Sequence, residues 1–200
     1  MMIRCFLTTR ILRRWYGFNS GSIYQVSTLA AADIAARTSV VTTLGGCAGG
    51  VATILYIWRR TGQWDVVAAC NGILCGLVSV TGGSSVFEPW AALITGSVAA
   101  VAFVHLEAFI LLIGLDDAVS ASAMHGGIGI LGTIFVGLLA KGAYVSELVG
   151  KTAEDFDGAV YKGLFYGGNG KLLACQVIGA PPTVHPRGFS SLAGVTVATS

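Results

Sequence analysis

The chain reads as an all-α integral membrane protein, a helical bundle of about five transmembrane helices. Two observations predict this. Of its 200 residues 54% are hydrophobic and only 11% are charged, with a mean hydropathy of +0.75. Ordinary soluble domains carry roughly 25% charged residues, so there is too little polar material here to coat a water-soluble globule. The apolar residues also fall in continuous runs and not in alternation, which favours helices over strands. Glycine, at 28 residues, favours close helix–helix approach in a membrane.

Five apolar runs follow one another. The first, about 10–25, is interrupted by Arg10, Arg13 and Arg14. The second, about 38–58, ends at Arg59-Arg60. The third covers about 66–87, the fourth about 89–113 and the fifth about 118–140. Each of the last four is long enough for the roughly 20 residues that cross a bilayer. Short connections, Gly62-Gln63-Trp64-Asp65, the stretch from Gly83 to Glu88 and Gly114-Leu115-Asp116-Asp117, predict antiparallel neighbours. Residues 1–14 form a basic segment with Arg4, Arg10, Arg13 and Arg14 and no acid. It is either a targeting peptide or a positive-inside flank. The arginines predict that the N-terminal segment, Arg59-Arg60 and Asp116-Asp117 lie on the cytoplasmic side, with Lys141, Lys151, Lys162 and Lys171 outside. Residues 141–170 read as a glycine-rich polar loop, 171–178 turn apolar until Pro181-Pro182 stops them, and 179–200 read as an unstructured tail. Small-xxx-small pairs, Gly45/Gly49, Gly46/Gly50 and Gly72/Gly76, permit close backbone approach.

A net charge of +2 is too small to argue for a nucleic-acid partner, and no basic patch is interleaved with aromatics, so none is expected. The lipid bilayer is the partner that the composition requires. The five cysteines lack CxxC spacing, and Cys47, Cys70 and Cys75 fall inside apolar runs, so they read as small apolar residues and not as disulfides or metal ligands. The run Gly167-Gly168-Asn169-Gly170-Lys171 lacks the spacing of a phosphate loop. No metal or cofactor is expected. No acid/base or nucleophile pair falls at matching depth on two helices, so the chain does not read as an enzyme.

The chemistry concentrates on His125, the one histidine inside the fifth run. An ionisable group within a span is costly and is a functional-site hypothesis by default. It lies about 13 Å along the helix from Asp116 at ~1.5 Å per residue, near the midplane if the aspartates mark one interface. Ala121, Ser122, Ile128, Gly129 and Gly132 share its face at helical spacing. A pore-lining imidazole and a packed histidine bonded to a carbonyl are the two readings. In the first run, Trp15, Phe18 and Ser22 share a face. They can bind a cation through ring faces and a hydroxyl, or form an interfacial aromatic belt. Asp116 and Asp117 sit where carboxylates cap a helix. His105 and Glu107 read as interfacial or snorkelling groups.

These pieces resemble, in order, the second half of an ammonium transporter of the Amt/Mep/Rh family, plant-type branch. The resemblance rests on Trp15 to Ser22; Arg37-Thr38 through Gly45-Gly46-Cys47; Cys70-Asn71-Gly72 through Gly76; Phe87-Glu88-Pro89-Trp90; Asp116-Asp117 through His125-Gly126-Gly127; and Leu164-Phe165-Tyr166-Gly167-Gly168-Asn169-Gly170-Lys171. It covers roughly 15–178. It implies an eleven-helix bundle of two inverted-repeat halves, of which this chain supplies helices six to ten and the start of eleven. It further implies a homotrimer, ammonium or ammonia as the substrate, and residence in the plasma membrane. His125 then matches one of two pore histidines and Phe18 one of two stacked gate phenylalanines. Ser22 matches the serine of the recruitment site, where Trp15 shares its face, and Asp116 and Asp117 match the acidic pair opening helix ten. NH4+ is expected to be recruited outside and conducted as NH3. Arg10, Arg13 and Arg14 depart from the apolar residues expected there. A different class of function keeps the same resemblance: a non-transporting membrane protein that associates with full-length transporters, or a partial gene product without activity.

Overall fold

The computed structural model describes residues 2–23, 27–117, 120–150 and 161–183, and among them every regular element is helical. Helix α1 spans Met2–Asn19 and is followed by a 3-10 turn, Gly21–Ile23. Helix α2 spans Leu29–Thr61, α3 Val66–Thr81, α4 Pro89–Leu112, α5 Ser122–Leu139, α6 Gly142–Val149 and α7 Lys171–Thr183. Three of them, α2, α4 and α5, are long and apolar enough to cross a membrane; α3 and α7 are apolar but shorter. The tail beyond Thr183, with His185, and residues 151–160, with Lys151, lie outside the described residues.

Caps explain most of the boundaries. Thr28 opens α2, its Oγ1 accepting from the Ala31 N–H at 3.3 Å. The helix therefore starts well before the expected position 38. The Ala-rich stretch after Leu29 has high helix propensity but no long apolar run to advertise it. Gly62 ends α2 in a left-handed conformation, φ 71°, which glycine adopts without a Cβ penalty. Three residues later the Asp65 carboxylate caps α3 by accepting from Val67 N and Ala68 N at 2.8 and 3.1 Å. Across this turn the indoles of Trp58 and Trp64 stack at 5.3 Å. Helix α3 stops at Thr81, not 87, because the chain turns there, with Val86 and Phe87 N–H both bonded to the Gly83 carbonyl. Pro89 then occupies the first turn of α4, where its missing N–H costs nothing.

Helices α2, α3 and α4 pack antiparallel as the centre of the bundle; α5 lies against α3 and α4, α7 against α5, and α1 across α2 and α3. Glycines set how closely the central three approach. A Cβ on Gly76 would lie 2.1 Å from the Gly45 carbonyl oxygen, one on Gly96 2.3 Å from the same oxygen, and one on Gly49 2.3 Å from the Gly72 oxygen. Gly46 and Gly50 receive Leu77 and Ile73. All three expected glycine pairs thus lie in the α2–α3 interface. Two apolar clusters fill the remaining core. One, with Val41, Val80, Phe87, Val136 and Val145, sits at the end carrying Glu88. The other, with Cys75, Phe103, Ile110, Met124 and Ile128, lies toward the end carrying Arg59.

Two segments depart from the expected loop and stop. Helix α6 falls inside the expected loop 141–170. It buries Val145 against the core and ends at Gly150, φ 69°. Helix α7 continues to Thr183 through Pro181 and Pro182, which have no N–H to donate in its last turn. Helix α1 runs without a break across position 14, through Arg10, Arg13 and Arg14.

Candidate functional site

Helix α5 does not begin as an α-helix. Its first six residues, Ser122–Gly127, wind as a π-helix, and only Ile128–Leu139 is α-helical. Such wide turns concentrate at functional sites, and His125 lies within this one. The extra residue per turn sends Ala123, Met124 and Ile128 into the core and leaves His125 exposed. The face around the imidazole therefore differs from that expected at regular helical spacing. Ala121 and Ser122 share its exposure, whereas Ile128 is buried and Gly132 packs against the Ser79 backbone. A Cβ added at Gly126 or Gly129 would meet nothing within 4 Å, so the surface beside the ring is bare backbone. The depth also differs. His125 stands three residues into the helix, about 5 Å from its start and about 21 Å from Leu139 at ~1.5 Å per residue. It lies nearer the Asp117 end than the middle, because the helix starts after Asp117 and not at Asp116.

The start itself is built by carboxylates. Asp117 accepts from the backbone N–H groups of Ala121, Ser122 and Ala123 at 2.8, 2.7 and 3.3 Å. Partial burial pushes its carboxyl up, but these three donors outweigh that and hold it below the usual carboxylate range. Asp117 is thus the cap expected of the acidic pair, while Asp116 is exposed. Ser120 takes a positive φ of 54°, and its hydroxyl donates to the Glu107 carboxylate of α4. Glu107 is therefore an inter-helix tie and not a snorkelling group. His105, though exposed, likewise ties α4 to α2, its Nε2 lying 2.8 Å from the Tyr56 hydroxyl, which also accepts from Arg60 at 3.1 Å.

The aromatic group forms at the C-terminal end of α1. Trp15 and Phe18 meet edge to face at 5.7 Å, and the Ser22 hydroxyl donates to the Phe18 carbonyl at 2.5 Å. Phe18 is 47% exposed. A polar seam holds this end of α1 on α2: Tyr16 to Thr43 at 2.8 Å, the Asn19 amide donating to Thr42 at 3.0 Å, and Ser20 to Ser39 at 2.8 Å. Trp15, Phe18 and Ser22 are thus brought together, near the Glu88 end of the bundle. His125 stands on another helix near the opposite end.

Sequence reasoning missed Asn19, a buried amide beside Phe18 whose Oδ1 has no hydrogen-bond partner. An Asn immediately after an aromatic at a helix end was the available signal. It also missed the clamp at the Glu88 end. Glu88 accepts from Lys141 at 2.5 Å, Tyr166 at 2.5 Å and the Trp90 indole at 2.8 Å. Those donors, Lys141 first, hold its carboxyl at about 2, and in return Lys141 is raised. Burial, then the Glu88 carboxylate, pushes the Tyr166 phenol up. Arg37 bonds Glu147 at 2.8 Å and the Ser85 carbonyl at 3.1 Å, with its guanidinium 3.7 Å over the Tyr144 ring. These partners lie far apart in sequence, so spacing could not reveal them.

A family model, the Ammonium Transporter Family, matches residues 6–194. Ammonium transporter 1 member 1 of Oryza sativa subsp. japonica is 41% identical over 172 residues, covering 82% of this chain and 33% of that protein. Ammonium transporter 1 member 1 of Arabidopsis thaliana is 39% identical over 171 residues, again 82% of this chain and 33% of the relative. The chain spans about a third of the length of the curated relatives it matches. Among solved structures, that of Candida albicans Mep2 superposes with a TM-score of 0.77 at 26% identity, covering 93% of this chain and 38% of the other.

Proposed function

The chain belongs to the ammonium transporter family, and we propose that it contributes to moving ammonium across a membrane, with His125 as a pore group and Trp15, Phe18 and Ser22 as the recruitment site. The observation that carries this reading is the exposed His125 on a π-helical turn, flanked by the bare backbone of Gly126 and Gly129. The protein is an integral membrane protein and not an enzyme. Its residence in the plasma membrane, with the Glu88 end outside, and its assembly as a trimer are part of the proposal.

The chemistry follows from solvation. An ammonium ion entering a dry passage loses hydration worth tens of kcal/mol on an idealised scale, so the ion is held where water still reaches it. At the exposed end of α1, the faces of Trp15 and Phe18 attract a cation within about 6 Å of a ring centroid. The Ser22 hydroxyl spends its proton on the Phe18 carbonyl, which leaves its oxygen lone pairs to accept an N–H. The N–H bond then breaks heterolytically. NH3 keeps the electron pair and continues, and the proton returns to water or crosses separately. Deeper in, the His125 imidazole offers one donor and one acceptor nitrogen to neutral NH3. The surface that His125 shares with Gly126 and Gly129 leaves room for a passage between this bundle and a complementary set of helices, as an inverted repeat supplies.

Growth of cells that lack ammonium uptake tests the proposal. Co-expressed in such cells with the complementary first half of a related ammonium transporter, the chain is expected to restore growth at low ammonium, and His125→Ala to cut uptake about tenfold or more, about 1.4 kcal/mol in the barrier. A pair present in the membrane that restores no growth overturns the proposal. Co-purification with a full-length transporter would then favour an associating role.

A further inference from the structure

We infer that Glu107 is a positioning residue for His125: through Ser120 it locks the π-helical turn that presents the imidazole. This rests on reading His125 as a pore group, but it concerns a residue of a different helix that touches neither the ring nor the proposed substrate. The chain of contacts is short. Glu107 lies on α4 and is half-buried; its carboxylate accepts the Ser120 hydroxyl proton. Ser120 holds φ 54°, a left-handed conformation that a side chain with a Cβ adopts only when its surroundings hold it there. Its backbone is pinned at both ends as well. Its N–H bonds the Asp117 carbonyl at 2.9 Å, and its carbonyl accepts the Met124 N–H at 2.9 Å. Met124 is the residue before His125. The position of Ser120 therefore fixes the amide from which His125 departs.

Asp117 and Glu107 divide the work. Asp117 caps the free N–H groups and sets where the helix starts along its axis. Nothing in that cap sets how the helix is rotated about its axis, since all its partners belong to the same segment. Glu107 supplies that constraint from a neighbouring helix. Tight apolar packing supports it on the same side, where a Cβ on Gly127 would overlap Leu106 of α4. With the Glu107–Ser120 bond removed, the strained Ser120 relaxes, the extra residue is lost from the turn, and the ordinary α register rotates position 125 by about 100° toward the core.

The rate of His125 modification by diethyl pyrocarbonate reads this directly. The full chain is held in lipid nanodiscs and followed by mass spectrometry, with His105, bonded to Tyr56, as the internal reference. Glu107→Ala and Ser120→Ala are each expected to lower the His125-to-His105 rate ratio about fivefold, and the double variant to lower it no further. Glu107→Gln, which keeps an acceptor oxygen, is expected to stay within about twofold of the parent. Should Glu107→Ala fail to insert, Ser120→Ala removes the same bond while leaving the carboxylate. An unchanged or raised ratio in the Ala variants, with helix content intact by circular dichroism, overturns the inference. So does a Gln variant that falls as far as Ala. The measurement needs no transport, so failure of the growth test would leave it standing.

Discussion

Glu88 shows how one side chain can tie three segments. It sits at the head of α4 and accepts hydrogen bonds from Lys141 after α5, from Tyr166 ahead of α7 and from Trp90 of its own helix. Its carboxyl is held at about 2 against an ordinary 4.5. A depressed carboxyl stabilises the fold fully above its ordinary value and loses that contribution as pH falls through the folded one. Lys141 is raised, so its contribution is complete below the ordinary 10.5 and fades only as pH rises beyond it. The clamp is thus at full strength across neutral pH and releases between about 4.5 and about 2. Glu88→Gln is expected to lower the thermal unfolding midpoint in detergent by a constant amount from pH 5 to 9 on this reasoning. The deficit should shrink steadily below about pH 4.5, and a deficit that kept its neutral size at pH 3 would remove Glu88 as the titrating group. Little of this was legible in the sequence. Phe87-Glu88-Pro89-Trp90 marked a turn, but Lys141 and Tyr166 lie 53 and 78 residues away, and only the fold brings them to the carboxylate.

At the scale of the helix, legibility followed the kind of signal. Long apolar runs located α4 almost to the residue, because Pro89 and the Gly114 turn bound it. The start of α2 was hidden because its first two turns are alanine-rich and half-exposed. Helix α6 was hidden because eight residues are too few for a clear period, although Gly150 just beyond Val149 was a readable stop. The π-turn had no local signature, and the contacts that flank it, from Glu107 and Leu106, come from α4. The glycine pairs were the most informative small motif, because their spacing matched the interface that formed. Gly76→Ala tests what they hold. Its Cβ would lie 2.1 Å from the Gly45 carbonyl oxygen, a backbone atom that cannot swing aside. The α2–α3 contact must open, at a cost of about 1–3 kcal/mol. Gly129→Ala meets nothing within 4 Å and gains up to ~1 kcal/mol of helix propensity. Thermal unfolding in detergent should therefore rank Gly129→Ala at or above the parent and Gly76→Ala clearly below. The reverse order would mean that close approach of the backbones is not what binds the central helices.

At the scale of the whole molecule, the surface divides into two kinds. Helices α2 and α4 present Val40, Val51, Leu55, Leu93, Ile94 and Val98, large apolar side chains suited to hydrocarbon. The opening of α5 presents the opposite: an imidazole, Ser122 and two glycines with open space above them. Lipid chains are a poor cover for such a face. Ionisable groups within spans almost always turn toward protein or a water-filled cavity, and small residues mark where another backbone comes close. The bundle is therefore expected to have a lipid side and a side that protein or water covers, and composition alone could not separate them, because both are read from the same apolar runs. Spin labels distinguish them in a membrane. On a background with Cys5, Cys47, Cys70, Cys75 and Cys175 replaced, a label at Ile94→Cys is expected to relax by collision with oxygen, which partitions into hydrocarbon. A label at His125→Cys is expected to respond to a water-soluble nickel chelate if the face lines an aqueous passage, or to neither reagent if other helices close over it. An oxygen response at position 125 equal to that at 94 would place His125 in lipid and remove the physical ground for treating that face as a wall of a pore.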